Sequence, residues 1–200
     1  MVGQVEEYRV VVPIQALLVN ELSRPPDLCK AAQTLWQKPK HGMVKANCDG
    51  VWFEQTMRGG FGWVIRDFTG WMMQAGGQGD MFYGSTLMAE MDAIRAVLFA
   101  CQQGGFSRVV VESDSQVAIK MVKGERAVTV EVDSILFDIQ TAIREFQEVI
   151  FIFAPRICNK AAHEVATFAC RVGGSYYWEF IPPDWLFNTL AGDVNVRVRL

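Results

Sequence analysis

The chain has 200 residues, half of them hydrophobic and 20% charged, which is enough for one compact domain with extra residues at its ends. A formal net charge of −3 excludes an indiscriminate polyanion binder, because non-specific nucleic-acid affinity comes from Lys and Arg displacing counterions. Five cysteines at 29, 48, 101, 158 and 170, with no CxxC pair, outline neither a disulfide framework nor a zinc knuckle, and they suit a reducing compartment.

The first 40 residues carry weak periodicity and the helix-breaking pair Pro25-Pro26, as expected of a leader or linker. Within them, VVVPIQALLV is too short for a membrane span and is preceded by Glu6 and Glu7 rather than by basic residues, so the expectation is no signal peptide, no membrane and an intracellular, monomeric protein. The folded domain is expected over 41–193, with 194–200 as a tail.

From Met43 the pattern changes. Val44, Ala46 and Cys48 alternate with Lys45, Asn47 and Asp49, the period of two of a strand with unlike faces. Gly59-Gly60 are expected to turn the chain into FGWVIRD, Asp67 to Gly70 turn it again, and WMMQAGG completes an antiparallel meander. From Ser85 the period lengthens. Leu87, Met91, Ile94, Leu98 and Cys101 recur at helical spacing until Gly104-Gly105. The unbroken Val109, Val110 and Val111 suit a central strand, parallel to its neighbour because a helix leads into it. A short helix capped by Ser113 or Asp114 follows, then a longer amphipathic one through Ile135 and Ile139, a fifth strand in EVIFIFA and a helix in NKAAHEVATFACR. The order β-β-β-α-β-α-α-β-α describes an α/β domain with a five-stranded mixed sheet.

Three acids stand out by position. Asp49 is expected to close the first strand and Asp114 the fourth; the carboxyl ends of adjacent parallel strands share the edge where open α/β sheets bind ligands. Glu90 lies on the apolar stripe of the first helix, facing the sheet, where a charge needs a partner. Three converging carboxylates resist ionisation unless a cation neutralises them, the electrostatic basis of a magnesium site. Taken singly, the acids also fit a turn, a helix cap and an edge residue. Taken jointly, they point to a site.

The segments VKANCDG, GGFGWVIRDFTG, STLMAEMDAIRAVLFA, VVVESDSQ and APRICNKAAHEVA, in that order, resemble the ribonuclease H type-1 family, and most closely its plant branch related to reverse-transcriptase-associated domains of non-LTR retroelements. The resemblance implies a ribonuclease H-like fold with helices flanking the sheet. It also implies metal-dependent endonucleolytic cleavage of the RNA strand of an RNA–DNA hybrid, with Mg2+ or Mn2+ as cofactor. Its catalytic and metal-ligating acids fall on Asp49, Glu90 and Asp114. Substrate contacts carry over to Gln116, Gly50, Ser85 and Asn159; for Asn159, capping the last helix is the competing role. Two departures stand out. His163 occupies the place of a fourth metal-site aspartate in many members, leaving its role open between metal ligand and hydrogen-bonded helix residue, and FIFAPRIC lacks the histidine that helps product leave in some relatives. Both imply weakened turnover.

Other groups point elsewhere or nowhere. RGGFG and AGGQGD read as hairpin turns rather than phosphate loops, since no helix follows them. Ser85, Ser113 and Ser115 have no histidine spaced for a triad. Cys158, His163 and Cys170 match no common zinc spacing. Trp52, Phe53 and Trp63 are either stacking faces or core. Arg58, Arg66, Lys120, Lys123 and Arg126 form either a local basic rim or a solvated surface. The leading expectation is the hybrid ribonuclease. A catalytically weak or inactive nucleic-acid-binding module of the same fold is the alternative. A 3′–5′ exonuclease would need a further acid near the last helix, and Glu164 there is out of register.

Overall fold

The computed structural model describes residues 35–194. The VVVPIQALLV run, Pro25-Pro26, Cys29 and the tail from 195 onward lie outside the described residues. Strands β1 (Val44–Phe53), β2 (Arg58–Arg66) and β3 (Met72–Phe82) form the expected antiparallel meander, and β4 (Arg108–Ser113) and β5 (Glu148–Phe153) add in parallel beyond β1. A strand not expected from the sequence, β6 (Ser175–Glu179), pairs antiparallel with β3, so the sheet has six strands in the order β5-β4-β1-β2-β3-β6. At five residues directly after Gly173 and Gly174, both at positive φ, it is too short for its alternation to stand out.

The helices are α1 (Thr86–Gln103), α2 (Gln116–Val122), α3 (Asp133–Ile143), α4 (Lys160–Val172) and α5 (Asp184–Asp193). Two cores flank the sheet. On one face, Ala46 and Cys48 of β1 pack with Ile94 and Leu98 of α1 and Ile139 of α3. Burying each of the Ile and Leu side chains contributes about 2 kcal/mol, and this packing fixes α1, and with it Glu90, against the sheet. On the other face, Val64 and Ala75 meet Ala161 and Val165 of α4 and Leu186 and Leu190 of α5.

The glycines act differently from the sequence expectation. The β1–β2 turn is at 54–57, with Met57 at φ 56°, whereas Gly59, Gly60 and Gly62 lie inside β2 and Gly76, Gly77 and Gly79 inside β3. Several serve to let α4 lie close on the sheet: a Cβ on Gly62 would enter the backbone of Ala166, and one on Gly79 the carbonyl of Ala169. Gly50 does the same for α1, since its Cβ would meet the backbone of Ala89 and Glu90.

One further expectation is corrected. Arg66 is no part of a basic rim. It is fully buried, its Nη1 donating to Asp193 Oδ2 at 2.7 Å and its Nη2 to Asn47 Oδ1 at 3.1 Å, with the guanidinium 3.5 Å from the centre of the Trp36 ring. Trp36 is itself buried and donates its Nε1–H to Asn47 Oδ1 at 2.8 Å. Trp63 belongs to the core and Trp52 donates to the Tyr83 carbonyl, while Phe53 is exposed. Among the described residues no helix is long and apolar enough to cross a membrane.

The close approach of α4 is testable. Gly62→Ala should lower stability by ~2 kcal/mol or more, as overpacking against backbone does. Gly192→Ala, at an exposed helical position with open space around it, should raise it by ~0.5 kcal/mol. Urea midpoints of the two variants would show opposite shifts.

Candidate metal centre

Asp49 does not close β1. The strand runs on to Phe53 because the hairpin partner β2 continues beside it, Asp49 opposite Gly62 and Phe53 opposite Arg58. What ends there is the parallel ladder to β4, whose last pair is Cys48 with Ser113. Asp49 and Asp114 are the next residue on each side, so the point where two parallel strands part brings their carboxylates together. Glu90 comes from α1 on the other side, and its Oε2 accepts the backbone N–H of Gly50 at 3.3 Å. One ligand oxygen from each of Asp49, Glu90 and Asp114 lies within 4.8 Å of the others. Among the described residues, no other group of three or more potential ligands is found.

Asp49 and Glu90 are buried and Asp114 partly so. Two ionised carboxylates at such a distance repel by ~3 kcal/mol at an effective dielectric of about 20. Burial, followed by the charges of Asp49 and Asp114, pushes the Glu90 carboxyl up to about 9. Asp49 is also raised, chiefly by burial and then by Asp114, against the opposing pull of His163 and Arg156. Such a trio fits a hard divalent cation held by oxygen ligands.

A cation from the chain already sits among them. Arg156, in a 3₁₀ turn (Arg156–Cys158) between β5 and α4, donates from Nη1 to Asp114 Oδ2 at 2.7 Å and to Asp49 Oδ1 at 3.0 Å. His163 stands beside it, with Nδ1 2.8 Å from both Asp49 Oδ2 and Arg156 Nη2. One nitrogen cannot donate to the first and accept from the second. The assignment that satisfies both neighbours has Nδ1–H donating to Asp49, with Nε2, 3.2 Å from Nη2, accepting from Arg156. His163 thus lies at the site as a hydrogen-bond partner of Asp49, held there because α4 crosses β2 at Gly62.

Asn159 makes no side-chain cap to α4, correcting that expected role. Fully buried, it donates to the Cys48 carbonyl at 2.9 Å and to Asp114 Oδ1 at 3.2 Å, and accepts from Asn47 Nδ2 at 3.2 Å. Asn47 Nδ2 also donates to Glu112 Oε2 at 3.0 Å, and Glu112 pairs with Lys45 at 2.5 Å. The cap of α2 is Ser115, accepting from Ala118 N–H, rather than Ser113 or Asp114. Asp114 is drawn instead to Arg156 and Asn159.

The remaining positions are spread around this centre. Gln116 is exposed at the start of α2. Ser85 caps α1, accepting from Met88 N–H at 3.3 Å. Gly50 is buried against α1. Glu164 faces α5, where it accepts from Thr189 Oγ1 at 2.9 Å, and is not one of the clustered acids. Arg156, Asn47, Lys45 and Glu112 were not singled out from sequence. Two signals existed: the lone cation in FIFAPRIC, and the polar residues on the same face of β1 as Asp49.

A family model described as reverse transcriptase-like matches residues 47–169, a span that holds all three acids, Arg156, Asn159 and His163. No curated protein sequence matches the chain. Among solved structures, the chain is similar to RNase H1 from the halophilic archaeon Halobacterium salinarum NRC-1, with 24% identity and a TM-score of 0.61 over 64% of this chain and 96% of that one. The N-terminal RNase H domain of a Mycobacterium tuberculosis protein, fused to maltose-binding protein, superposes with a TM-score of 0.61 at 19% identity, over 65% of this chain and 94% of that one. LC11-RNase H1 in complex with an RNA/DNA hybrid gives 0.58 at 21% identity, over 64% and 97%. The fold is therefore ribonuclease H-like.

Protonation of Glu90 has a measurable consequence. Between its ordinary value of 4.5 and about 9, the folded chain keeps a proton that the unfolded chain has released. This contribution to stability is complete at acid pH and is lost as pH rises through the folded value. In chelator, stability should fall between about pH 5 and 9, and Glu90→Gln should flatten that slope in denaturant titrations.

Proposed function

The chain belongs to the reverse transcriptase-like family, and on that footing we propose that it is a metal-dependent ribonuclease that hydrolyses the RNA strand of an RNA–DNA hybrid. The observation that carries this reading is the convergence of Asp49, Glu90 and Asp114 on one point, where the β1–β4 ladder ends. Mg2+, or Mn2+ in its place, is the cofactor this donor set suits, with Asp49, Glu90 and Asp114 as its ligands. When bound, such ions supply Lewis-acid stabilisation and an activated water for phosphodiester hydrolysis.

The chain's own residues orient the rest. Gly50 N–H fixes one Glu90 oxygen, Asn159 fixes one Asp114 oxygen, and His163 fixes one Asp49 oxygen. Gln116, exposed beside Asp114, is placed to meet a 2′-hydroxyl, the group that separates a hybrid from duplex DNA. LC11-RNase H1, which shares this fold, was solved with an RNA/DNA hybrid, and the same class of substrate is proposed here. His163, in the place of a fourth acid, supports slower turnover than a four-acid site gives, because neutral imidazole suits magnesium less well than carboxylate does.

Incubating the purified full chain with a labelled hybrid in Mg2+ or Mn2+ tests the reading. Wild type should cut the RNA strand, and Asp49→Asn should lose at least ~100-fold in rate, since it removes charge that acts on the reacting group. Equal cleavage by both proteins would reject the assignment of Asp49. Hybrid binding without cleavage by either would favour the non-catalytic module of the same fold.

A further inference from the structure

Each of the two aspartates at the site uses one oxygen for a fixed partner and turns the other to Arg156. Asp49 gives Oδ2 to His163 and Oδ1 to Arg156. Asp114 gives Oδ1 to Asn159 and Oδ2 to Arg156. Glu90 is held separately, by Gly50 N–H. The acids are therefore kept in place by partners that do not include the guanidinium, and Arg156 takes the oxygens left over for a cation.

We propose that Arg156 is a tethered counter-cation: in the metal-free chain its guanidinium fills the carboxylate cage, and a divalent ion enters only by displacing it. This inference rests on the metal-site reading given above. Arg156 keeps its charge at any ordinary pH, so it leaves by moving and not by losing a proton. It can move, because its side chain is 56% exposed and its backbone lies in a three-residue turn. Arg66, the other arginine paired with a carboxylate close behind the site, is fully buried and stacked on Trp36 and has no such exit. The pairs are exposed on the arginine side only, the Asp49 and Asp114 side chains being buried; the guanidinium balances the buried carboxylates and still has a way out to solvent.

Mn2+ binding to the purified full chain, followed by electron paramagnetic resonance at fixed ionic strength, tests this without any activity. Arg156→Gln should bind Mn2+ about fivefold more tightly than wild type, equivalent to ~1 kcal/mol. Arg156→Lys, which keeps the charge but loses the fork, should fall between the two. Lys160→Gln removes a neighbouring charge from α4, where Lys160 pairs with Glu164 at 3.6 Å, and should change affinity less than about twofold. In chelator, Arg156→Gln should melt below wild type, with the gap closing in saturating Mn2+. If wild type binds Mn2+ and Arg156→Gln binds no more tightly, the counter-cation role is overturned while the metal site stands. If neither protein binds, both readings fall together.

Discussion

Negative charges gathered out of water must be balanced, and this requirement organises the centre of the molecule. Behind the site the charges match one for one, Lys45 with Glu112 and Arg66 with Asp193. At the site three acids converge and a single arginine pairs with two of them, Asp49 and Asp114. The excess of negative charge is thus confined to a single point, open to a cation and close to solvent. Burial raises Glu90 and Asp49 there.

The geometry at that point comes from backbone pairing before it comes from side chains. The β1–β4 ladder stops after Cys48 and Ser113, while β1 continues with β2, and this fork sets Asp49 beside Asp114. Glycine then decides how near the helices come. Gly50 lets α1 bring Glu90 against β1, and Gly62 lets α4 bring His163 against Asp49. A methyl group at either position would push a helix, and with it Glu90 or His163, away.

The buried polar network extends this positioning. Asn47 joins Trp36, Arg66, Glu112 and Asn159 through its one amide, and Asn159 passes the constraint to Asp114. Buried amides satisfied on every side are rigid, because leaving any partner unpaired costs ~1–3 kcal/mol.

Alternation through Val44 to Asp49, helical spacing through Leu87 to Cys101 and the valines of β4 were sufficient to order the elements from β1 to α4, though not β6 or α5, and to point at Asp49, Glu90 and Asp114, because periodicity is a property of neighbouring residues. The glycine runs misled for the same reason: their neighbours suggest turns, and only the helix crossing above them explains their lack of side chains. Arg156 reaches Asp49 across 107 residues and Asn159 reaches Cys48 across 111, and nothing near either residue in the chain encodes those distances. The local pattern of apolar and polar residues therefore determined which elements form and which acids belong to them. Tertiary packing alone decided which oxygens converge, which arginine is buried and which enters the cage, since pairing of charges depends on distance in space and not along the chain.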